Sequence, residues 1–205
     1  MQEQSHYAVG IDIGTKKVRC VIGHIDETMG VPRIIGVGQA PNSGMRKGVI
    51  THLNGPAAAI DTALDAAERM SGHRVNQAAL GTNGVHIIST KVDGMVAVNA
   101  SSSEVTEDDV ARLENVATVG KVPANREILE VVPYEYRLDG QDNIKNPIGM
   151  TGTRLELRAN VVSGLVPHLG NLHKLAEMSN IDAVRIVPTV LASAQAVLNE
   201  SQMEN

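Results

Sequence analysis

The spacing of apolar residues changes several times along the chain, and each change marks an element. From Tyr7 to about Asp26, apolar and β-branched residues run on either side of Gly14-Thr15-Lys16, which predicts two short strands around a tight turn. A third strand is expected at 34–38, after a break at Gly30 and Pro32. The period then becomes helical. Leu53, Ala57, Ile60 and Leu64 share one face of a segment that opens at Asn54-Gly55-Pro56 and runs to about Met70, with Gly72 as its stop. Three strands and then a helix is an α/β opening.

The middle of the chain has another texture. Strands are expected at 85–91 and 94–98, followed by a polar Ser101-Ser102-Ser103 connection. Thr106 is placed to cap a helix, because its hydroxyl can accept the N–H of Asp109. Val105 and Val110 occupy the two positions of a hydrophobic staple, and the acidic residues 107–109 suit the positive end of the helix dipole. That helix should end near Gly120. Strands at 128–133 and 134–138 follow, and then a strictly alternating one at 154–162 with Leu155, Leu157, Ala159 and Val161 on one face. A helix from about 167 to 179, a strand at 183–187 and a helix from Thr189 close the sequence. The block at 85–165 therefore reads as inserted into an α/β unit formed by 1–84 and 166–205.

Composition narrows the functional classes. With 42% apolar and 20% charged residues, the chain has the balance of a folded domain and not of a disordered one. Its 205 residues lie between one and two domains of about 150. A net charge of -5 argues against a nucleic-acid partner, which would meet a basic face. Three tyrosines and no Phe or Trp leave no platform for stacking bases. The single cysteine, Cys20, excludes an intrachain disulfide and any Cys-based zinc or iron–sulfur site. No secretory leader pattern opens the chain, and no apolar run approaches ~18 residues. The expectation is an intracellular chain without a spanning helix.

Candidate chemistry centres on Asp12-Ile13-Gly14-Thr15. A turn between two strands presents successive backbone N–H groups on one side, which makes an anion cradle. Gly14 lets a phosphate approach the backbone, Thr15 offers a hydroxyl, Lys16 a cation, and Asp12 a carboxylate suited to hydrated Mg²⁺. The D-x-G-[ST] pattern arises by chance in roughly one chain in ten of this size, so its position at the start of an α/β unit carries the weight. Other constellations are weaker. Gly36-Val37-Gly38 lacks the third glycine and following helix of a dinucleotide site. His168 and His173 stand about 140° apart around a helix and cannot share a metal. Asp108 and Asp109 are explained by capping, and Cys20 by a strand core. No self-contained catalytic site emerges.

Several segments together resemble the FtsA family of bacterial cell-division proteins, members of the actin-like ATPase superfamily. Gly10–Lys17 (GIDIGTKK) is similar to the first phosphate motif of the actin and sugar-kinase superfamily, and Ser43–Ile50 (SGMRKGVI) to the FtsA segment after the third strand. Val105–Val110 (VTEDDV) resembles the start of the helix in the family's inserted subdomain. The most specific stretches are Glu135–Gln141 (EYRLDGQ) and Ile144–Glu156 (IKNPIGMTGTRLE). Val190–Leu198 (VLASAQAVL) resembles the segment before the second phosphate loop.

The resemblance implies an actin-like (ribonuclease H-like) α/β subdomain 1A over 1–84 and 166–205, split by an α+β subdomain 1C, the SHS2 region, over 85–165. It implies ATP with Mg²⁺: Gly14, Thr15 and Lys16, with Lys17 as a weaker carry-over, would line the phosphates, and Asp12 would hold Mg²⁺ through water. It implies self-association into filaments, tethering of FtsZ at the cytoplasmic face of the membrane, and recruitment of late division proteins through 1C. The second phosphate loop would be expected beyond Asn205. The chain is therefore read as an N-terminal part, truncated before the second lobe, its FtsZ contact and the C-terminal membrane helix, with no appreciable ATP hydrolysis. Two alternatives share the fold: a kinase of the same superfamily, disfavoured by the absence of a carboxylate cluster in the middle segment, and a pilus-assembly scaffold, which is not expected to carry the Ile144–Glu156 stretch.

Overall fold

A computed structural model describes residues 6–25, 32–98 and 103–203. The expected break at Gly30 and the serines at 101 and 102 lie outside the described residues. In chain order the elements are β1 (His6–Ile13), β2 (Lys17–Ile25), β3 (Arg33–Pro41), β4 (Met45–Arg46), β5 (Val49–Ile50), α1 (Asn54–Ser71), β6 (Gln77–Thr82), β7 (Ile87–Ala97), α2 (Glu107–Thr118), β8 (Arg126–Leu138), β9 (Gln141–Ile144), β10 (Arg154–Leu165), α3 (Val166–Met178), β11 (Asp182–Pro188), α4 (Thr189–Val197) and α5 (Glu200–Met203). Two compact units result, one from Met1–His86 with Pro167–Asn205, the other from Ile87–Val166.

The first unit carries a five-stranded sheet in the order β11-β6-β1-β2-β3. β1, β2 and β3 form an antiparallel meander, whereas β6 and β11 run parallel to β1. Ile11, Ile13, Val18, Cys20 and Ile22 point into the core beneath α1, where Ile60, Ala63, Leu64 and Ala67 meet them. Gly36 and Gly38 let the helix backbone settle directly on β3. A Cβ at Gly36 would stand 2.5 Å from the Ala67 carbonyl oxygen, and one at Gly38 would collide with the Ala63 carbonyl. α1 ends at Gly72, whose φ of 74° is the left-handed turn that favours glycine. β6 is absent from the sequence-based expectation. Its Ala-Ala-Leu-Gly content is poor in β-branched residues, yet it is a central strand flanked on both sides.

The second unit is a four-stranded antiparallel sheet, β7-β10-β8-β9, with α2 on one face. Its core gathers Val92, Val96, Leu113, Ala117, Tyr136, Leu155, Leu157, Ala159 and Val161. The Thr106 cap forms as a full capping box: its hydroxyl accepts the Asp109 N–H at 3.3 Å, and the Asp109 carboxylate accepts the Thr106 N–H at 3.0 Å. Two expectations are corrected. The strands at 85–91 and 94–98 are one continuous β7, because Gly94 turns nothing and instead makes room for Ala117 of α2. Those at 128–133 and 134–138 are one long β8, in which a register shift beside Pro133 and Tyr134 absorbs the proline. Among the described residues, no helix is long and apolar enough to cross a membrane.

Candidate phosphate-binding turn

The β1–β2 turn is built by three tethers. Gly14 N–H donates to the Lys17 carbonyl at 3.0 Å and closes the hairpin. A Cβ at Gly14 would crowd that same oxygen at 2.9 Å, so the position requires glycine. Asn42, just past β3, holds the turn twice: its side-chain amide donates to the Gly14 carbonyl at 2.7 Å, and its backbone N–H to the Lys16 carbonyl at 2.8 Å. The third tether comes from the β4–β5 hairpin, whose two-residue loop places Lys47 and Gly48 at φ 51° and 77°. Gly48 N–H donates to Thr15 Oγ1 at 3.0 Å.

These bonds occupy the carbonyls of Gly14, Lys16 and Lys17 and the amide of Gly14, and leave the next two amides open. Among the described residues, the amides of Thr15 and Lys16 meet no acceptor. The side chains of Lys16 and Lys17 are exposed beside them. Two open amides with adjacent cations suit an anion with several oxygens, which is the donor set a phosphate needs.

Asp12 lies one residue before the end of β1, where the parallel strands β1, β6 and β11 present their carboxyl ends, the usual ligand edge of such sheets. Its Oδ1 accepts from the Thr189 hydroxyl at 3.1 Å, and Arg19 Nη1 stands 3.5 Å from Oδ2. The side chain remains 31% exposed, so one oxygen keeps room for a water of a hydrated cation. Asp12 is oriented from across the sheet, because Gly81 beside it brings Thr189 close: a Cβ at Gly81 would stand 3.0 Å from Thr189 Oγ1. An open hollow of about 450 Å³, lined in part by Asp12, Arg19, Val21, Gly81 and Val187, adjoins the carboxylate.

All five candidate residues therefore lie in or beside one turn. Sequence reasoning missed Arg19, Asn42, Gly48 and Thr189. Arg19 was accessible in principle, since a hairpin closed at Gly14–Lys17 sets Asp12 opposite Arg19. The other three arrive by tertiary contact. The remaining candidates stay structural. His168 stacks on His86 with ring centroids 4.7 Å apart, and His173 is exposed. Burial, then the nearby Glu68 charge, pushes the Cys20 thiol up to about 11, far from a nucleophile's range. Among the described residues no group of His, Cys, Asp and Glu could hold a metal by itself.

Comparison with known proteins adds ancestry. A family model described as an SHS2 domain inserted in FTSA matches residues 84–163. The cell division protein FtsA of Neisseria meningitidis serogroup B is 33% identical over 204 residues, which is 100% of this chain and 49% of that protein. FtsA of Pseudomonas aeruginosa is 33% identical, covering 96% of this chain and 46% of its own length. For Bacillus subtilis FtsA the figures are 34%, 95% and 44%. The chain thus spans about half the length of the curated relatives it matches. Among solved structures, the PilM-PilN type IV pilus biogenesis complex aligns with a TM-score of 0.60 at 12% identity, covering 92% of this chain and 49% of that one. At that identity it shows the actin-like fold alone.

Proposed function

Because the chain belongs to the FtsA family of bacterial cell-division proteins, we propose that it works as the nucleotide-binding and surface-presenting part of a division scaffold, not as an enzyme with a substrate of its own. In this reading the first unit acts as subdomain 1A and the second as subdomain 1C. ATP and Mg²⁺ meet the β1–β2 turn, with the open amides of Thr15 and Lys16 and the side chains of Lys16 and Lys17 on phosphate oxygens. Gly14 leaves the approach clear, and Asp12 holds the metal's water. Bound nucleotide then biases the conformation that self-associates into filaments. The FtsA resemblance further suggests tethering of FtsZ at the cytoplasmic membrane face and recruitment of late division proteins through 1C.

The observation that supports this reading is the tethered turn with its two acceptor-free amides. Calorimetric titration of Mg-ATP into this chain tests it. Binding heat is expected for the wild type, at least tenfold weaker affinity for Lys16→Ala, and none for Asp12→Ala. Undiminished binding by Asp12→Ala, with its fold intact by circular dichroism, would remove Asp12 from the metal side.

A further inference from the structure

Arg19 and Asp12 face each other across the β1–β2 pair, in register. Their neighbours show to which side they point. Ile11, Ile13, Val18 and Cys20 are buried in the core beneath α1, and side chains alternate along a strand, so Asp12 and Arg19 turn to the opposite face together with Lys17. Lys17 and Arg19 therefore stand in one row, about 7 Å apart along the strand, leading from the phosphate turn to the carboxylate. The hollow beside them has apolar walls apart from Asp12, Arg19 and Thr189. Charges against such walls act on one another more strongly than in open water. The two oxygens of Asp12 are held unequally. Oδ1 accepts from the Thr189 hydroxyl at 3.1 Å, whereas Oδ2 meets the Arg19 guanidinium at 3.5 Å, longer than the ~2.7–2.9 Å of a tight charge-assisted bond. Thr189 thus orients the carboxylate, and Oδ2 is the oxygen it can give up.

We propose that Arg19 competes with a divalent cation for Asp12 and, where nucleotide arrives without metal, bridges Asp12 to the phosphates in the cation's stead. This role rests on the nucleotide reading of the turn and adds to it a choice between metal-free and metal-bound forms. A bare carboxylate beside the turn repels a phosphate. Arg19 cancels that charge, and its planar fork of N–H donors can engage a carboxylate and a phosphate oxygen together, which the point charge of a lysine does less well. When Mg²⁺ is present, both cations claim Oδ2. The Arg19 side chain is 56% exposed, so it can leave for solvent at little cost. Asp12 alone would make a site that demands metal. Asp12 with Arg19 makes one that takes nucleotide either way.

Calorimetric titration of ATP into the intact chain, with Mg²⁺ in one series and EDTA in the other, tests this role. Relative to the wild type, Arg19→Gln should bind ATP about threefold more weakly in EDTA, the scale of an exposed ion pair, and Mg-ATP no more weakly. The loss in EDTA should shrink in high salt, where exposed charges are screened. A second readout needs no nucleotide. Mn²⁺ should broaden the amide NMR signals of Asp12 and its strand neighbours, and should do so at about threefold lower concentration in Arg19→Gln, where its competitor is gone. Weaker metal-free ATP binding together with tighter Mn²⁺ binding is a pair of opposite effects that a merely structural arginine does not produce. Unchanged thermal unfolding of the variant is expected, since the side chain lies outside the core. Equal loss of affinity for both forms of ATP, undiminished ATP binding in EDTA, or equal Mn²⁺ broadening in the two chains would each overturn the proposal. Failure of the nucleotide reading looks different: a wild type that binds ATP in neither series removes nucleotide from the turn, and the Mn²⁺ comparison then decides the competition at Asp12 by itself.

Discussion

α1 and α2 each cover one face of a sheet, yet they are held by opposite means. α1 follows an N-cap residue, Leu53, that offers no side-chain cap, and has no acidic residue in its first turn. What fixes it is distant in sequence: the bare backbone of β3 at Gly36 and Gly38, pressed against Ala63 and Ala67. α2 is specified locally, by the Thr106–Asp109 box and three acidic residues at its positive end. The β1–β2 turn follows the α1 pattern, since Asn42 and Gly48 reach it across 28 and 33 residues. The first unit therefore gains geometry from long-range contacts with little tolerance. The second gains it from short-range signals that can be removed one at a time.

The largest effect should come from the least tolerant contact. Gly38→Val places side-chain atoms inside the α1 backbone and should cost about 3 kcal/mol or more, beyond ordinary overpacking. Thermal unfolding should show loss of the first unit, and a shift of only a few degrees would mean α1 can slide. The intermediate effect lies in α2. Asp109→Ala removes half the capping box and should cost about 1–2 kcal/mol.

Asp109 also makes a pH prediction. Hydrogen bonds from the Thr106 amide and hydroxyl, outweighing burial, hold its carboxyl below the usual range. Its contribution is therefore complete above the unfolded value near 3.9 and lost as pH falls toward the lower folded value. Asp109→Asn should be less stable at neutral pH and less sensitive to acid, as urea unfolding from pH 6 to 2.5 would record. The smallest effect has the opposite sign. Burial, then the Glu130 charge, raises the Glu114 carboxyl, so its cost to stability sets in as pH climbs above the unfolded value and is complete above the folded one. Glu114→Gln should be neutral in acid and slightly stabilising at pH 7; equal stability across that range would contradict it.

Much of this was legible in the sequence where a single period ran unbroken. The hairpin, α1, the Thr106 cap and the alternation of β10 all follow from local pattern, and so does the clustering of Asp12 to Lys17. What escaped has a physical cause in each case. β6 carries glycine at 81 because a Cβ there would press on Thr189 and Asp12, and with Ala78 and Ala79 beside it the strand lacks the bulk that marks one. Gly94 and Pro133 look like breaks, but one serves helix packing and the other is absorbed by a bulge. The turn's motif could be read, whereas the tethers that open its amides depend on tertiary contacts.

As a proposed phosphate cradle, the β1–β2 turn would offer the amides of Thr15 and Lys16 as its open donors. Amide NMR of the isotope-labelled chain, titrated with Mg-ATP, addresses it most directly. The account predicts the largest saturating shifts at Thr15 and Lys16, and their marked weakening in Asn42→Ala, which loses one tether at a cost of about 1 kcal/mol. Saturable shifts centred elsewhere, with those two amides unmoved, would contradict it.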